Sequence, residues 1–440
     1  MSFPRYPKYK DSGVEWLGEV PEHWKIMPLK HLAEFINGAA FNPAQWTESG
    51  IPIIRIQNLN GSEEFNFFDG EVEDRYLVHD GDLLFGWSGN RGTSFGPFLW
   101  KREEICALNQ HIFRVNPNST DKRLVYWSLK AVTAHVEDQA HGIIGMVHVT
   151  KGDLGAINVP VPPTTEQTAI AVFLYRETAK IDGLVAEQKR LMELLKEKRQ
   201  AVISHAVTKG LNPKAPMKPS GIEWLGDVPE HWEVIALKRI ADVQTGVAKG
   251  KDNGSRTTIT VPYLRVANVQ DGYLDLENVA TIEIPSEDLN RYALKDGDVL
   301  MNEGGDFDKL GRGYIWEGQI APCITQNHVF AVRPRQVSSA WLNAITGSDF
   351  AQFYFMTRSK QSTNLASISS TNLMELPVIL PPKVEQSTIL SFISNQTSRF
   401  DALTAEAQRA IDLLQERRTA LISAAVTGQI DVRKVGAFDS

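Results

Sequence analysis

Apolar side chains recur at helical spacing in two long stretches of this chain. From about Glu166 they fall at Ile170, Phe173, Leu174, Ile181, Leu184, Leu191, Leu194 and Leu195. The second stretch answers with Ile389, Phe392, Ile393, Phe400, Leu403, Ile411, Leu413 and Leu414. No proline interrupts either run, and Gly183 is the one early weak point of the first. Each run predicts a helix of about 40 residues, roughly 60 Å long at the usual rise per residue. Helices of that length need a partner for their apolar stripe, and the nearest is the other helix. An antiparallel pairing would set the segments preceding each helix at opposite ends of a rod. The alternative is that each helix packs on its own domain. The prolines of VPVPP (159–163) and VILPP (378–382) end the preceding strands, and Thr164 with Gln167 forms a capping box in the first copy. Lys383 stands in place of that threonine in the second, so its cap must differ. Gly210, followed by Asn212-Pro213, is a stop signal.

The pattern changes between the helical runs. Short segments rich in Val, Ile and Phe, such as IPIIRIQNL (51–59), VPYLRVANV (261–269), HIFRV (111–115) and HVFAV (328–332), read as strands punctuated by Gly, Asp and Asn. HDGDLLF (79–85) and KDGDVLM (295–301) put a Gly-Asp turn before an apolar strand, which turn chemistry explains without catalysis. Each intervening region predicts a twisted antiparallel sheet or partial barrel with helices.

These matching pairs belong to an internal repeat. SGVEWLGEVPEHW (12–24) returns as SGIEWLGDVPEHW (220–232), differing only at Val14/Ile222 and Glu19/Asp227. LLKEKRQAVISHAVT (194–208) returns as LLQERRTALISAAVT (413–427). A repeat of about 210 residues is far too long for a solenoid unit. Two similar frames around two dissimilar inserts describe one pseudo-twofold scaffold presenting two different surfaces.

Composition adds four restrictions. Hydrophobic residues make up 42% and charged ones 22%, as in an ordinary globular protein. No apolar run approaches a membrane span and MSFPRYPKYK has no signal-peptide core, so a cytoplasmic protein is expected. The two cysteines, Cys106 and Cys323, occupy corresponding places in the two copies, which argues for a small buried residue in each domain and against a disulfide. Net charge is −7, and residues 1–155 carry 15 Lys/Arg against 20 Asp/Glu. Any grip on nucleic acid must therefore be local, or assisted by a partner.

PPTTEQTAI (162–170), PPKVEQSTI (381–389), the two AVT helix ends with Gly428, and the paired WLGxVPEHW segments occur in one order, duplicated. In that order the chain resembles the specificity subunit of type I restriction-modification systems over essentially its whole length. The resemblance implies an α+β fold in which two mixed α/β target recognition domains are joined by two long antiparallel coiled-coil helices. It divides the chain into recognition domain 1 (1–158), helical spacer 1 (159–215), recognition domain 2 (216–377) and helical spacer 2 (378–440). Each recognition domain would read one half of a split site on double-stranded DNA. The helices would set the gap and dock two methyltransferase subunits, to which two motor-nuclease subunits add. The chain itself would be a non-catalytic subunit without cofactor or metal.

Base reading needs forked donors and acceptors on loops, and phosphate grip needs cations and backbone amides. In the second insert KGKDNGSR offers Lys249, Lys251, Asn253, Ser255 and Arg256 as a phosphate-gripping loop. In the first, WSGNRGTS offers Ser88, Asn90, Arg91 and Thr93, and its counterpart NEGGDFDKLGR offers Lys309 and Arg312. Arg55 with Asn58, and Arg265 with Asn268, recur at matching positions. Their recurrence favours phosphate contact or a buttress for the fold over base-specific reading. Gln110-His111 and Asn327-His328 also match and are read as structural. The loops before each Pro-Pro add His148, Lys151, Ser367 and Ser370 as candidates facing DNA.

No methyltransferase tetrad, cofactor glycine loop or phosphate loop is present in the sequence. His135, His141 and His148 lack convincing metal spacing, and Glu166 and Glu385, just after Pro-Pro, read as helix caps. A different class of protein remains open: a coiled-coil scaffold presenting two protein-binding domains. An enzyme with a duplicated site would need a duplicated acid–base or nucleophile set, which the sequence does not offer.

Overall fold

The structure is a computed structural model that describes residues 3–139, 146–250, 254–305, 310–361 and 366–437. The chain forms two compact units, residues 1–188 with 408–440 and residues 189–407. Each holds one insert and about half of each long helix, so packing cuts the chain differently from the sequence blocks.

In the first unit the insert is built on the sheet Gly96–Leu99, Leu83–Gly86, Ile112–Pro117, Ala33–Asn37, antiparallel throughout. A second sheet runs Asn66–Phe68, Ile51–Ile54, Cys106–Leu108, Leu77–Val78 and contains one parallel pair, Ala107 beside Ile53. Apolar runs arise because the central strands bury both faces. Leu83 and Phe85 join Phe113 and the helix residues Val125, Leu129 and Val132 in one core, while Leu84 and Ile112 enter another. The insert is closed at its base where Asn158–Val161 pairs with Lys25–Pro28.

The second unit repeats this plan. Its main sheet runs Ala241–Thr245, Val329–Pro334, Val299–Asn302, Gly313–Ile315, beside a sheet Ala280–Pro285, Thr258–Leu264, Ile324–Thr325 with the same parallel pairing. Pro377–Leu380 closes the base on Glu233–Ala236. The Gly-Asp turns are as expected: Gly81 and Gly297 adopt positive φ, and Asp82 and Asp298 accept from the backbone N–H of His79 and Lys295. Cys106 and Cys323 are free and buried, and burial pushes the thiols up to about 11 and about 12.

Thr164–Lys209 and Lys383–Val426 are single helices of 46 and 44 residues. Within each unit the start of one packs on the end of the other, so the pairing is antiparallel. Ile170, Phe173, Leu174 and Ile181 share a core with Leu421, Ile422, Ala425 and Val426 in the first unit. Ile203, Ala206 and Val207 share one with Ile389 and Ile393 in the second. Asp182 pairs with Arg418 at 2.9 Å and Arg199 with Asp401 at 3.5 Å, each inside its unit. The same cores take in insert residues such as Trp127 and Trp341, so the helices pack on the inserts as well as on each other. The apolar stripe is not fully covered. Leu184, Leu191, Leu194, Phe392, Leu403 and Leu413 are exposed, because their positions lie on the flank of the pairing seam. Among the described residues no helix is long and apolar enough to cross a membrane.

Two cap expectations are corrected. Thr164 is already helical, and the Gln167 amide makes other bonds than the box: it accepts from Asp121 N–H at 3.0 Å and donates to Pro162 O, just before the helix, at 2.9 Å. Glu166 and Glu385 do not cap either. Glu166 accepts from Tyr6 Oη, His23 Nε2 and Trp24 Nε1 at 2.8, 2.7 and 3.0 Å. Glu385 receives His231 Nε2 and Trp232 Nε1 at 2.7 and 3.0 Å. The carboxylate of each EQ motif thus anchors the His-Trp of its unit's PEHW segment, which ties the two duplicated motifs into one joint.

Candidate nucleic-acid interface

In the first insert Ser88–Asn90 pairs with Met146–His148, with Ser88 opposite His148. The structure therefore brings Ser88, Asn90 and His148 together on one short ladder. Ser88 is half-buried, whereas Asn90 and His148 are exposed. The Asn90 carbonyl accepts from Thr93 Oγ1 and from the N–H groups of Ser94 and Phe95, which folds the tip carrying Arg91. Arg91 is exposed and its guanidinium donates to the Glu137 carbonyl. Lys151 opens the short helix Lys151–Ala156, capped by Thr150.

The second insert builds a matching ladder with a third strand, Lys360–Gln361, on the far side of Ala366–Ser367. Gly304 lies opposite Ser367, and Ser370 opens the helix Ser370–Met374, capped by Ser369. Ser367 is exposed and Ser370 half-buried. Arg312 lines an open cleft of about 1260 Å³ with Arg199, Arg399 and Asn395, and Asp271 and Asp401 line it too. Lys249, Ser255 and Arg256 are exposed, and Arg256 lies 3.7 Å from Glu287 and 3.9 Å from Asp288, which reduces the net positive charge of that loop. Lys251, Asn253 and Lys309 lie outside the described residues, as does His141.

The recurring Arg-Asn pairs form a separate group, at the ends of Ile51–Ile54 and Thr258–Leu264 in the second sheet of each insert. Asn58 is buried: its Oδ1 accepts from Arg55 N–H, and its Nδ2 donates to the carbonyls of Ser62 and Glu64 at 3.0 and 2.9 Å. Asn268 repeats this with Arg265, Asp275 and Asn278. Both amides are engaged inside their own loops, which supports the buttress of the two roles open to them. Arg55 lies over the Trp46 ring and donates to Asn66 at 2.7 Å; Arg265 reaches the Asn278 carbonyl and is exposed. These two guanidinium groups keep a phosphate-facing role open.

Sequence reasoning passed over the residues beside the two ladders. Trp87 precedes Ser88 and contacts His111 and His148 at ring separations of 5.5 and 4.8 Å. Its counterpart is Glu303, 2.8 Å from His328 Nδ1. Gln110, His111 and His328 were read as structural because they recur, yet all three are exposed. Their place just after the buried runs Cys106–Leu108 and 323–325 gave no sequence signal of exposure. His135, by contrast, stacks on Trp16 at 4.8 Å, a packing role.

Comparison with known proteins agrees with this architecture. Residues 21–191 and 229–412 match the family described as Type I restriction modification DNA specificity domain, one match per insert and frame. The chain is 22% identical over 433 residues to the type I restriction enzyme EcoBI specificity subunit of Escherichia coli, covering 96% of this chain and 89% of that protein. It is 24% identical over 431 residues to the MjaVIII specificity subunit of Methanocaldococcus jannaschii, covering 94% and 95%. A chain solved in work on complex assembly and conformational transition of the type I R-M system superposes with a TM-score of 0.64 at 14% identity, covering 93% of this chain and 99% of that one. The chain belongs to the type I restriction-modification DNA specificity family.

Proposed function

We propose that this subunit reads a bipartite sequence in double-stranded DNA, each insert taking one half-site, and that it does so without catalysing a reaction. The observation that carries this reading is the pair of inserts. They share the order of the main sheet, the parallel pairing and the turn chemistry, yet present different side chains along corresponding ladders. A frame repeated with two different reading edges suits an asymmetric split target.

The long helices set the gap between half-sites, since each base pair advances a reader by about 3.4 Å. Their exposed leucines, with Val172, Tyr175 and Val384 near the helix starts, offer apolar surface for two methyltransferase subunits, to which two motor-nuclease subunits add. Those partners also supply positive charge that a chain of net −7 lacks. The assembly works in the cytoplasm, where the DNA is.

The test is mapping of methylated bases in cells with and without this chain, and with residues 25–155 replaced by the insert of a relative. Loss of one split motif without the chain, and change of one half only in the exchange, is the expected result. A gene-independent methylation pattern, or an exchange that alters both halves, would sink the reading.

A further inference from the structure

The two reading edges can be compared atom by atom, because a backbone hydrogen bond fixes their register. Val149 N–H donates to Trp87 O at 3.0 Å in the first insert, and Ile368 N–H donates to Glu303 O at 2.9 Å in the second. The flanking pairs agree: Gly86 lies opposite Ile112, and Asn302 opposite Val329. His148 faces Ser88 as Ser367 faces Gly304. Thr150 and Ser369 cap the helices that follow. Trp87 and Glu303 therefore occupy one backbone position, and the histidines beside them, His111 and His328, occupy another.

The backbone is shared but the chemistry is not. The Trp87 indole donates its one N–H to the Gln110 carbonyl at 3.0 Å, so it has an apolar ring to offer and no acceptor. Glu303 is an acceptor held in place by a relay. His328 Nδ1 lies 2.8 Å from Glu303 Oε2, and Asn327 Nδ2 lies 3.2 Å from His328 Nε2. The amide donates to Nε2, which puts the imidazole proton on Nδ1, facing the carboxylate. Among the described residues Oε1 of Glu303 has no hydrogen-bond partner. The carboxylate is only partly covered, with 26% of its side chain exposed and 56% of that of His328. An ion pair this exposed adds only modestly to stability, and the relay fixes the direction of the carboxylate.

We infer that Glu303 is a specificity-determining residue of the second insert, oriented by His328 and Asn327, whose free carboxylate oxygen accepts a hydrogen bond from the N4 amino group of a cytosine in the major groove. This rests on the DNA-reading function proposed above. Cytosine is chosen over adenine because the adenine amino group sits beside N7, an acceptor whose lone pair repels a carboxylate. Glutamine, with an acceptor and a donor side by side, suits adenine instead. At the same backbone position the first insert has no acceptor, so the requirement is confined to one half-site.

The experiment uses the full chain assembled with its methyltransferase subunits in cells, with methylated motifs mapped genome-wide. The half-site of the second insert is the one left unchanged when residues 25–155 are exchanged. Wild type is expected to require C·G at one position of that half. Glu303→Ala lowers the preference for that pair by roughly tenfold, and Glu303→Gln shifts it toward A·T, while the other half-site stays intact in both. A motif unchanged in both variants overturns the assignment of Glu303 while leaving the bipartite reading standing. So does a change in the other half, or complete loss of methylation by both variants in correctly assembled complexes. A wild-type chain that directs no split motif at all overturns the DNA-reading function itself.

Discussion

The two EQ joints and the two reading edges are both duplicated, but they are duplicated differently. At the joints the side chains repeat along with the bonds: Glu166 holds His23 and Trp24 as Glu385 holds His231 and Trp232. At the edges the backbone bonds repeat while Trp87 stands where Glu303 does. Repetition of side chain and bond marks what holds the frame, and repetition of the bond alone marks what the frame presents. Even the joints are not equal. The first carries further bonds: Asp431 N–H donates to Pro4 O, Tyr9 Oη donates to Gly428 O, and Tyr6 adds a third donor to Glu166.

The largest effect expected from this inequality is at the carboxylates. Glu166 is 7% exposed and Glu385 is 32% exposed. Glu166→Ala strands three donors, two of them from buried Tyr6 and Trp24, and should destabilise the first unit by about 3–5 kcal/mol. Glu385→Ala, half solvated, should cost the second unit about 1 kcal/mol. Hydrogen exchange resolved along the chain measures each unit separately, and equal losses would end the distinction. Acid adds a second arm. Burial raises the Glu166 carboxyl, but hydrogen bonds from His23, Tyr6 and Trp24 outweigh it and hold the carboxyl below the usual range. Its contribution is therefore fully present above about pH 4.3, the unfolded value, and is lost as pH falls through the lower folded value. Glu166→Gln should flatten that acid limb of the first unit.

A smaller inequality lies in the Gly-Asp turns. Asp82 accepts one turn N–H, while Asp298, 1% exposed, also takes a two-pronged ion pair from Arg333 at 2.7 and 2.8 Å. Asp298→Asn should cost about 2–4 kcal/mol and Asp82→Asn about 1 kcal/mol or less, read as shifts in urea midpoint. An Asp82 loss as large as that at Asp298 would show that the turn, not the ion pair, is what matters.

How much of this was legible in the sequence follows from the range of each interaction. The long helices were readable because Ile170, Leu174 and Ile181 repeat a period local to the helix itself. The doubly buried strands were readable from unbroken runs such as Leu83-Leu84-Phe85, which feed two cores at once. The Thr164–Gln167 cap was misread because Gln167 is engaged by Asp121, 46 residues away, and no local rule sees that bond. The joint carboxylates escaped for the same reason: His23 reaches Glu166 across 143 residues. Recurrence alone could not separate Asn58, a candidate DNA contact that is sunk in its own loop, from His111, read as structural yet exposed in the same insert. The side-chain environment decides that, and recurrence reports only the backbone.

The smallest expected effect concerns the glycines that end the long helices. Gly428 and Gly210 both adopt positive φ, at 80° and 76°, so any other residue is strained at either place. The space differs. A Cβ at Gly428 would lie 2.3 Å from Pro21 Cδ, part of a rigid ring pinned by the Glu19–Pro21 strand. A Cβ at Gly210 would meet the Trp232 ring at 3.1 Å, which a slight tilt relieves. Gly210→Ala should therefore cost about 1 kcal/mol, the backbone strain alone. Gly428→Ala should cost about 2 kcal/mol, because strain and overpacking add. If the two variants melt alike, contact with Pro21 contributes nothing to the difference between the two joints.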